Sequence, residues 1–329
     1  MEKNHDCLGP GPDSIMENAS GFVLLAGAIL YANGKGISYE KMKISPVSPQ
    51  EEQFTVVRHL GTGAFANAFE IGEEEFMKVP LSASQAKSLE REAAILKALG
   101  DIDELPESIP RLANHQAEDL LSDLRVTIRD EVSSIKGLRL KGIIGVSLNK
   151  FQKEFCREIS KIVVEQVYRA LQAAHAHNIY HLDVRPGNII LKYNEDHSNA
   201  KVMLSDWGCA TSEKKLKHFR GCTPYADDAF LGRLDLNVRV GPELDFASLV
   251  YTIVHVTEGR LPWLCEFDLP RTVTTDDMRK RKEFVEKWFQ EKSEAFLPTD
   301  SRGILKGAVL SSRNSSRQKR TLKDISCAS

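Results

Sequence analysis

Eleven consecutive residues, His181-Leu182-Asp183-Val184-Arg185-Pro186-Gly187-Asn188-Ile189-Ile190-Leu191, bring together an acid, a cation and an amide. A carboxylate at 183 and a carboxamide at 188 on one rigid loop can serve two partners. One can orient an attacking hydroxyl while the other ligates a metal ion. Arg185 adds a planar fork of donors rather than a point charge. Pro186 and Gly187 force a tight irregular turn between these groups, and the β-prone run Ile189 to Leu191 anchors it. Four further places carry chemistry. Gly61 and Gly63 in Gly61-Thr62-Gly63-Ala64-Phe65-Ala66 let a backbone approach an anion with its amides free to donate. Lys78 is a cation among apolar neighbours, Glu92 an acid before an apolar run, and Asp206 an acid followed closely by Gly208.

The elements that must position them follow from hydrophobic pattern. Residues 54–60 alternate well enough for a strand, and a second strand returns through Phe69 and Ile71 to a turn at Gly72. A third, Glu75 to Pro80, carries Lys78. A helix is predicted over 83–99, with a capping box at Ser82-x-x-Gln85, Gly100 as its stop, and Leu89, Ala93 and Leu96 on its apolar face. Glu92 and Glu90 compete as the acid that meets Lys78; being two residues apart, they cannot share a face, and Glu92 is preferred. Taken alone, the glycine stretch reads equally as a plain hairpin and Lys78 as a solvent-facing strand lysine.

Further along, strands are expected near 124–128 and 138–140, with 141–148 as a connection between two lobes. A long helix covers 154–177 with Ile159, Val163, Val167, Ala170, Leu171 and Ala174 inward. It leads directly into the 181–191 loop. A polar hairpin spans 192–201, and the apolar strand from Val202 ends in Asp206. Pro242-Glu243-Leu244-Asp245 opens another helix, where Asp245 also reads simply as an N-terminal acid. A charged amphipathic helix over 275–296 turns Phe284, Val285, Trp288 and Phe289 inward.

Composition excludes several classes. The net charge of −2 gives no strong nucleic-acid signal. Six scattered cysteines form no Cys-x-x-Cys pair, which argues against a zinc site or disulfide framework and for a reducing compartment, cytoplasmic or nuclear. His175, His177 and His181 lack the accompanying carboxylate–histidine constellation of a metal centre. The apolar run Gly21 to Tyr31 is too short to span a bilayer, so no membrane partner is expected; a short buried strand or helix is. Residues 1–53 are expected as a disordered or attached N-terminal segment, with a linker from Pro46 through Gln53. Residues 298–329 are expected as a disordered basic Ser/Arg tail.

The order of these motifs resembles the protein kinase superfamily over residues 54–296. Gly61 to Ala66 is similar to the G-x-G-x-x-G loop, with alanine at the third glycine. Lys78 is similar to the V-A-I-K lysine and Glu92 to the αC glutamate. Asp183 to Asn188 resembles the H-R-D-x-x-x-x-N loop and Asp206-Trp207-Gly208 the D-F-G turn. Thr223 to Asp228 looks like a worn T-P-x-Y-x-A-P-E run, and Asp245 like the αF aspartate that accepts bonds from the catalytic-loop backbone. Asp-Trp-Gly and Arg-Pro-x-Asn are also similar to the divergent kinase domains of Crinkler-type and related eukaryotic proteins.

The resemblance implies an α+β bilobal fold: a β-rich N-lobe over 54–140 and a helical, shortened C-lobe over 141–297. It implies an ATP- and Mg2+-dependent kinase acting on Ser/Thr of a protein substrate. ATP would meet residues 61–66 and Lys78, which Glu92 would steady. Asn188 and Asp206 would hold the metal. Asp183 would orient the hydroxyl, and Arg185 would contact the γ-phosphate. Ala66, Leu182, Asp228 and the short C-lobe favour an alternative, a pseudokinase acting as a nucleotide-binding scaffold. A small-molecule kinase is a third reading.

Overall fold

The computed structural model describes residues 43–46, 56–63, 65–81, 85–113, 121–128, 131–150, 157–194, 199–231, 237–263 and 272–310. The expected element within 21–31 lies outside the described residues.

Among the described residues, the N-terminal lobe is an antiparallel sheet with a helix against it. Strands β1 (Lys43–Pro46), β2 (Arg58–Thr62), β3 (Ala66–Gly72), β4 (Glu75–Pro80), β5 (Arg111–Leu112), β6 (Ser122–Ile128) and β7 (Glu131–Lys141) take the order β1-β6-β7-β4-β3-β2, with β5 also on β7. On β3 the side chains alternate strictly, burying Asn67, Phe69 and Ile71, as expected of a strand with one wet face. Phe76 to Pro80 of β4 are all buried, because this strand lies between β3 and β7 under the helix. Lys78 is therefore not a solvent-facing lysine.

That helix, α1 (Ala86–Gly100), buries Leu89, Glu92, Ala93, Leu96 and Leu99, one stripe at helical spacing. Gln85 is the cap, with helical dihedrals and no side-chain cap hydrogen bond; the expected capping box involves Ser82. Ser82 lies outside the described residues.

The segment expected as an appendage before residue 54 contributes β1, which pairs with β6 from Lys43↔Thr127 to Pro46↔Leu124. Pro46 thus ends a strand rather than opening a linker. A proline at the sheet's outer strand is tolerated because no ladder bond is required of it there.

The C-terminal lobe is helical. Below the connection lies a three-stranded sheet of β8 (Val146–Ser147), β9 (Ile189–Lys192) and β10 (Lys201–Leu204). Helix α2 (Arg157–Ala176) turns the expected stripe inward. Strands β11 (Lys215–Leu216) and β12 (Val238–Arg239) pair as a separate ladder. Helix α3 (Pro242–Glu258) buries nearly every side chain from Leu244 to Val256, so it is the lobe's axis. Pro242 suits its first turn, and Gly259, at φ 73°, ends it in the left-handed region.

The capping box that is present sits at α4 (Thr275–Glu291), where Thr274 and Asp277 satisfy each other's backbone donors. The chain continues through α5 (Ser293–Phe296) into α6 (Thr299–Leu310). Residues 299–310 are thus helical, correcting the expected tail from 298 and the shortened lobe. Gly303 and Gly307 weaken the helical signal, yet Ser301, Leu305 and Val309, spaced by four, are buried. They pack toward α3. Residues 311–329 lie outside the described residues. No helix among those described is long and apolar enough to cross a membrane.

Candidate active site

Strand β4 and helix α1 hold their charged residues toward each other. Lys78 Nζ donates to Glu92 Oε1 at 2.7 Å and Oε2 at 2.9 Å, and to Asp206 Oδ1 at 3.1 Å. Glu92 is 1% exposed, whereas its competitor Glu90 is exposed. Burial favours a neutral amine at Lys78, but the charges of Asp206 and Glu92 override it and hold the ammonium well above the ordinary lysine value. Burial also pushes the Asp206 carboxyl up. The Lys78 charge and hydrogen bond, with Arg185 and His181 behind them, more than reverse this and leave it below its usual range.

Asp206 occupies the left-handed region at φ 64° and ψ 67°, so its carboxylate is turned out of strand direction. The turn is locked by its neighbour. The Trp207 backbone N–H donates to Glu92 Oε1 at 3.2 Å, and its indole N–H to Leu204 O at 2.9 Å. The ring is fully buried, edge-on to His181 at 4.7 Å between centroids. The larger aromatic is thus accommodated between α1 and the 181–191 loop with its polar edge satisfied.

The loop is suspended from α3. Asp245 Oδ1 accepts from the Leu182 N–H at 2.7 Å, and Oδ2 from the His181 N–H at 2.8 Å. The His175 Nε2 lies 2.8 Å from Oδ2. Burial raises the Asp245 carboxyl, but the bond and charge of His175, His181 and the Leu182 N–H pull it below its usual value. Its grip holds Leu182 at φ 64°, a conformation that costs a non-glycine residue on the order of 1 kcal/mol or more. Burial pulls the His181 imidazole below its ordinary value, outweighing the nearby carboxylates. Its Nδ1 accepts from the Asp183 N–H at 3.2 Å, and Nε2 faces Ser205 O at 3.1 Å.

Within the loop, Asn188 Nδ2 donates to Asp183 O and to Asp183 Oδ2, both at 2.8 Å, and Arg185 Nε donates to Oδ2 at 3.1 Å. Asp183 Oδ1 is buried without a hydrogen-bond partner. Burial raises the Asp183 carboxyl; Arg185 pulls it down, Asp206 pushes it up again, and the net displacement is upward. The Ser205 N–H and hydroxyl both donate to Asn188 O, at 2.8 and 3.0 Å. Asp206 and Asn188 are thereby tied into one corner of the cleft.

The glycine stretch forms the β2–β3 hairpin. Gly63 N–H donates to Ala66 O at 2.8 Å and Leu81 N–H to Phe65 O at 3.0 Å. A Cβ at Gly61 would meet nothing within 4 Å, so no protein packing demands glycine there. Phe65 is 44% exposed at the tip, Ala66 opens β3, and Thr62 bonds Asn67 across the hairpin at 2.7 Å. Ala64 lies outside the described residues.

The protein kinase domain family model matches residues 127–306, more than half of the 329-residue chain. The chain belongs to the protein kinase domain family. It is similar to a solved crystal structure, the kinase domain of PF14_0431, at 17% identity and a TM-score of 0.49 over 78% of this chain and 84% of that one. Membership of the family, by the match over residues 127–306, frames the site with the kinase fold and phosphotransferase chemistry.

In this kinase domain three further residues matter: Arg281, Trp263 and Gly221. Arg281, buried on α4, donates to Ala226 O at 2.9 Å and to Asp228, with its guanidinium 4.3 Å over the Tyr251 ring. Asp228, which ends the worn T-P-x-Y-x-A-P-E run, is its ion-pair partner. The Trp263 indole N–H fastens Pro224 O at 2.9 Å, so the 223–230 segment is pinned from two sides. Gly221, at φ 100°, is pressed against the loop: a Cβ there would lie 2.2 Å from Leu182 O and 3.4 Å from Asp183 Oδ1. Glycine before Cys222-Thr223-Pro224 was the available signal.

Proposed function

We propose that this kinase domain transfers the γ-phosphate of ATP, with Mg2+, to a Ser/Thr hydroxyl of a protein substrate. The observation that carries this reading is the asymmetry of Asp183. Oδ2 is pinned by Arg185 and Asn188, while Oδ1 is buried and partnerless. A buried acceptor without a donor is costly, and an incoming hydroxyl relieves it. Asp183 would orient that hydroxyl for in-line attack and receive its proton. Lys78, charged and steadied by Glu92, would hold the α- and β-phosphates, and the hairpin amides would cover them. Arg185 would contact the γ-phosphate.

The metal test rests on donor chemistry. Asn188 spends its Nδ2 on Asp183, and no protein donor engages its Oδ1 among the described residues. Asp206 is ionised beside it. No group of three or more His, Cys, Asp or Glu able to hold a metal occurs among the described residues. Two oxygen donors of this kind fit Mg2+, which keeps waters and completes its shell with phosphate oxygens. Mg2+, when bound, neutralises charge on the transferring group.

Two of the features that favour a scaffold reading, the Leu182 side chain and Asp228, lie outside this set. Leu182 is buried and Asp228 pairs with Arg281. The deciding experiment is transfer of radiolabelled γ-phosphate to a Ser/Thr peptide library by wild type, Asp183→Asn and Asp206→Asn. Wild-type transfer that both variants abolish supports the reading. Nucleotide binding with no transfer by wild type overturns it in favour of the pseudokinase.

A further inference from the structure

Beside the site is a cationic ledge that the chemistry above does not use. Residues 214–220 read Lys214-Lys215-Leu216-Lys217-His218-Phe219-Arg220, with no acid among them, in a chain whose net charge is −2. Lys214, Lys215, Lys217 and His218 are exposed, and the intervening Leu216 is buried. The ledge is rigid rather than a loose run. Lys215 pairs with Arg239 and Leu216 with Val238 across the β11–β12 ladder, and Lys214 O accepts the Val240 N–H at 3.0 Å.

Two features make this more than a solvated face. Residues directly opposite on an antiparallel ladder project to the same side, and like charges there are destabilising. Lys215 and Arg239 are so placed, both exposed. Among the described residues no carboxylate forms an ion pair with Lys214, Lys215, Lys217 or Arg239. The nearest in sequence, Glu213, is taken by Arg220 at 3.1 Å. The second feature is position. The run ends at Gly221, whose added Cβ would lie 3.4 Å from Asp183 Oδ1. The segment that carries Lys214, Lys215 and Lys217 therefore reaches, at its Gly221 end, the oxygen that would receive the acceptor hydroxyl.

We propose that Lys214, Lys215, Lys217 and Arg239 select protein substrates with Asp or Glu flanking the phosphorylated Ser/Thr. This rests on the kinase reading and deepens it. Side chains of an acidic peptide would separate the Lys215–Arg239 charges and gain ion pairs with both. A nucleic acid fits the surface less well. Single strands need exposed stacking platforms, and the ledge's one phenyl ring, Phe219, is partly buried edge-on against Phe230 at 5.5 Å, leaving only the His218 imidazole exposed.

The test compares kcat/KM on three Ser peptides identical except for flanking Glu, Ala or Lys. Three or four exposed ion pairs, each weak and screened, favour the Glu peptide over the Ala peptide by on the order of ten-fold, chiefly through KM. The preference shrinks as salt is raised. In K214A/K215A/K217A the Glu-to-Ala ratio falls toward one. In K215E/K217E the order reverses and the Lys peptide is best, a gain that misfolding cannot produce. Equal kcat/KM for the Glu and Ala peptides in wild type overturns the proposal while leaving the kinase reading intact. So does a single-stranded RNA that binds the ledge without any acidic-peptide preference. Absence of transfer to every peptide sinks the kinase reading itself.

Discussion

Lys78 Nζ and Asp206 Oδ1, 128 positions apart in the chain, stand 3.1 Å from each other. One comes from a sheet in the N-terminal lobe, the other from a turn in the C-terminal lobe. Their contact closes the two lobes onto a common corner, and Glu92 completes it from α1.

This triad yields a prediction in which activity and stability separate. In Lys78→Met the buried Glu92 carboxylate loses its cation, which costs about 3–5 kcal/mol. Phosphotransfer falls at least about 100-fold with loss of a positioned charge. Adding Glu92→Met removes the stranded charge, so chemical denaturation of the double variant shows most of that stability restored. Turnover stays lost. Recovery of both together would mean the pair is only structural.

The upward displacement of Asp183 sets the acid limb of the pH–rate profile. The group works as a carboxylate, so kcat/KM rises with pH as Asp183 ionises. The midpoint of that rise lies above the ordinary aspartate range, because burial and the Asp206 charge outweigh Arg185. Arg185→Ala removes a stabilising cation and moves the midpoint higher still. A profile flat from pH 4 to 8 would contradict the assignment of Asp183.

Much of this candidate site was legible because each group proposed as catalytic sits at a break in a strong local pattern. Asp206 ends an apolar strand, Asp183 precedes Pro186-Gly187, and Glu92 lies on a helix whose stripe is unmistakable. What could not be read is long-range. Nothing near Arg281 in sequence says that it will be buried over Tyr251 and hold Asp228. His175 reads as one of three scattered histidines until α3 brings Asp245 within 2.8 Å of it. Helix α6 was missed because its glycines dilute local propensity, while the face it buries is supplied by α3. The β1–β6 pairing was hidden likewise, since four residues ending in proline form a strand only when a partner edge is waiting.

Leu182 replaces the arginine that, in the kinases this chain resembles, engages a phosphorylated activation-loop residue. Here the side chain is buried and offers no charge. The segment is ordered by other means: Arg281 on Ala226 O and Asp228, Trp263 on Pro224 O, and the β11–β12 ladder. Thr211 and Thr223 are themselves buried. Phosphatase-treated protein is therefore expected to keep its activity, and Ser212→Ala to match it. A collapse of turnover on dephosphorylation would show that the segment needs a phosphate after all.

Asp227 gives a stability prediction with a definite sign. Burial raises its carboxyl to about 6; the Ala229 N–H it caps pulls it down, the Asp228 charge pushes it up, and Arg281 opposes that. A carboxyl raised in the folded state favours folding only while protonated. Its contribution is complete below the unfolded value near 4 and is lost as pH rises through about 6. The loss is about 1–3 kcal/mol. Asp227→Asn keeps an acceptor for Ala229 without the charge. Compared with wild type, it gains stability between pH 4 and 7, and denaturant midpoints across that range measure the gain. Equal slopes in the two proteins would place Asp227 in a wetter setting than its burial implies.

Truncation separates the helix that was missed from the residues beyond it. Ending the chain after Leu310 leaves α6 intact, with Leu305 fully buried and Val309 nearly so. The 1–310 protein serves as the reference for the unfolding midpoint. Ending it after Pro298 strips the cover from that side of α3 and exposes apolar surface. Two buried aliphatic side chains alone are worth about 3–6 kcal/mol, a large share of a domain's stability. The 1–298 protein is therefore expected to unfold at markedly lower denaturant and to bind a hydrophobic dye. If it melts with the 1–310 protein, α6 is an appendage and the folded lobe ends near Leu297.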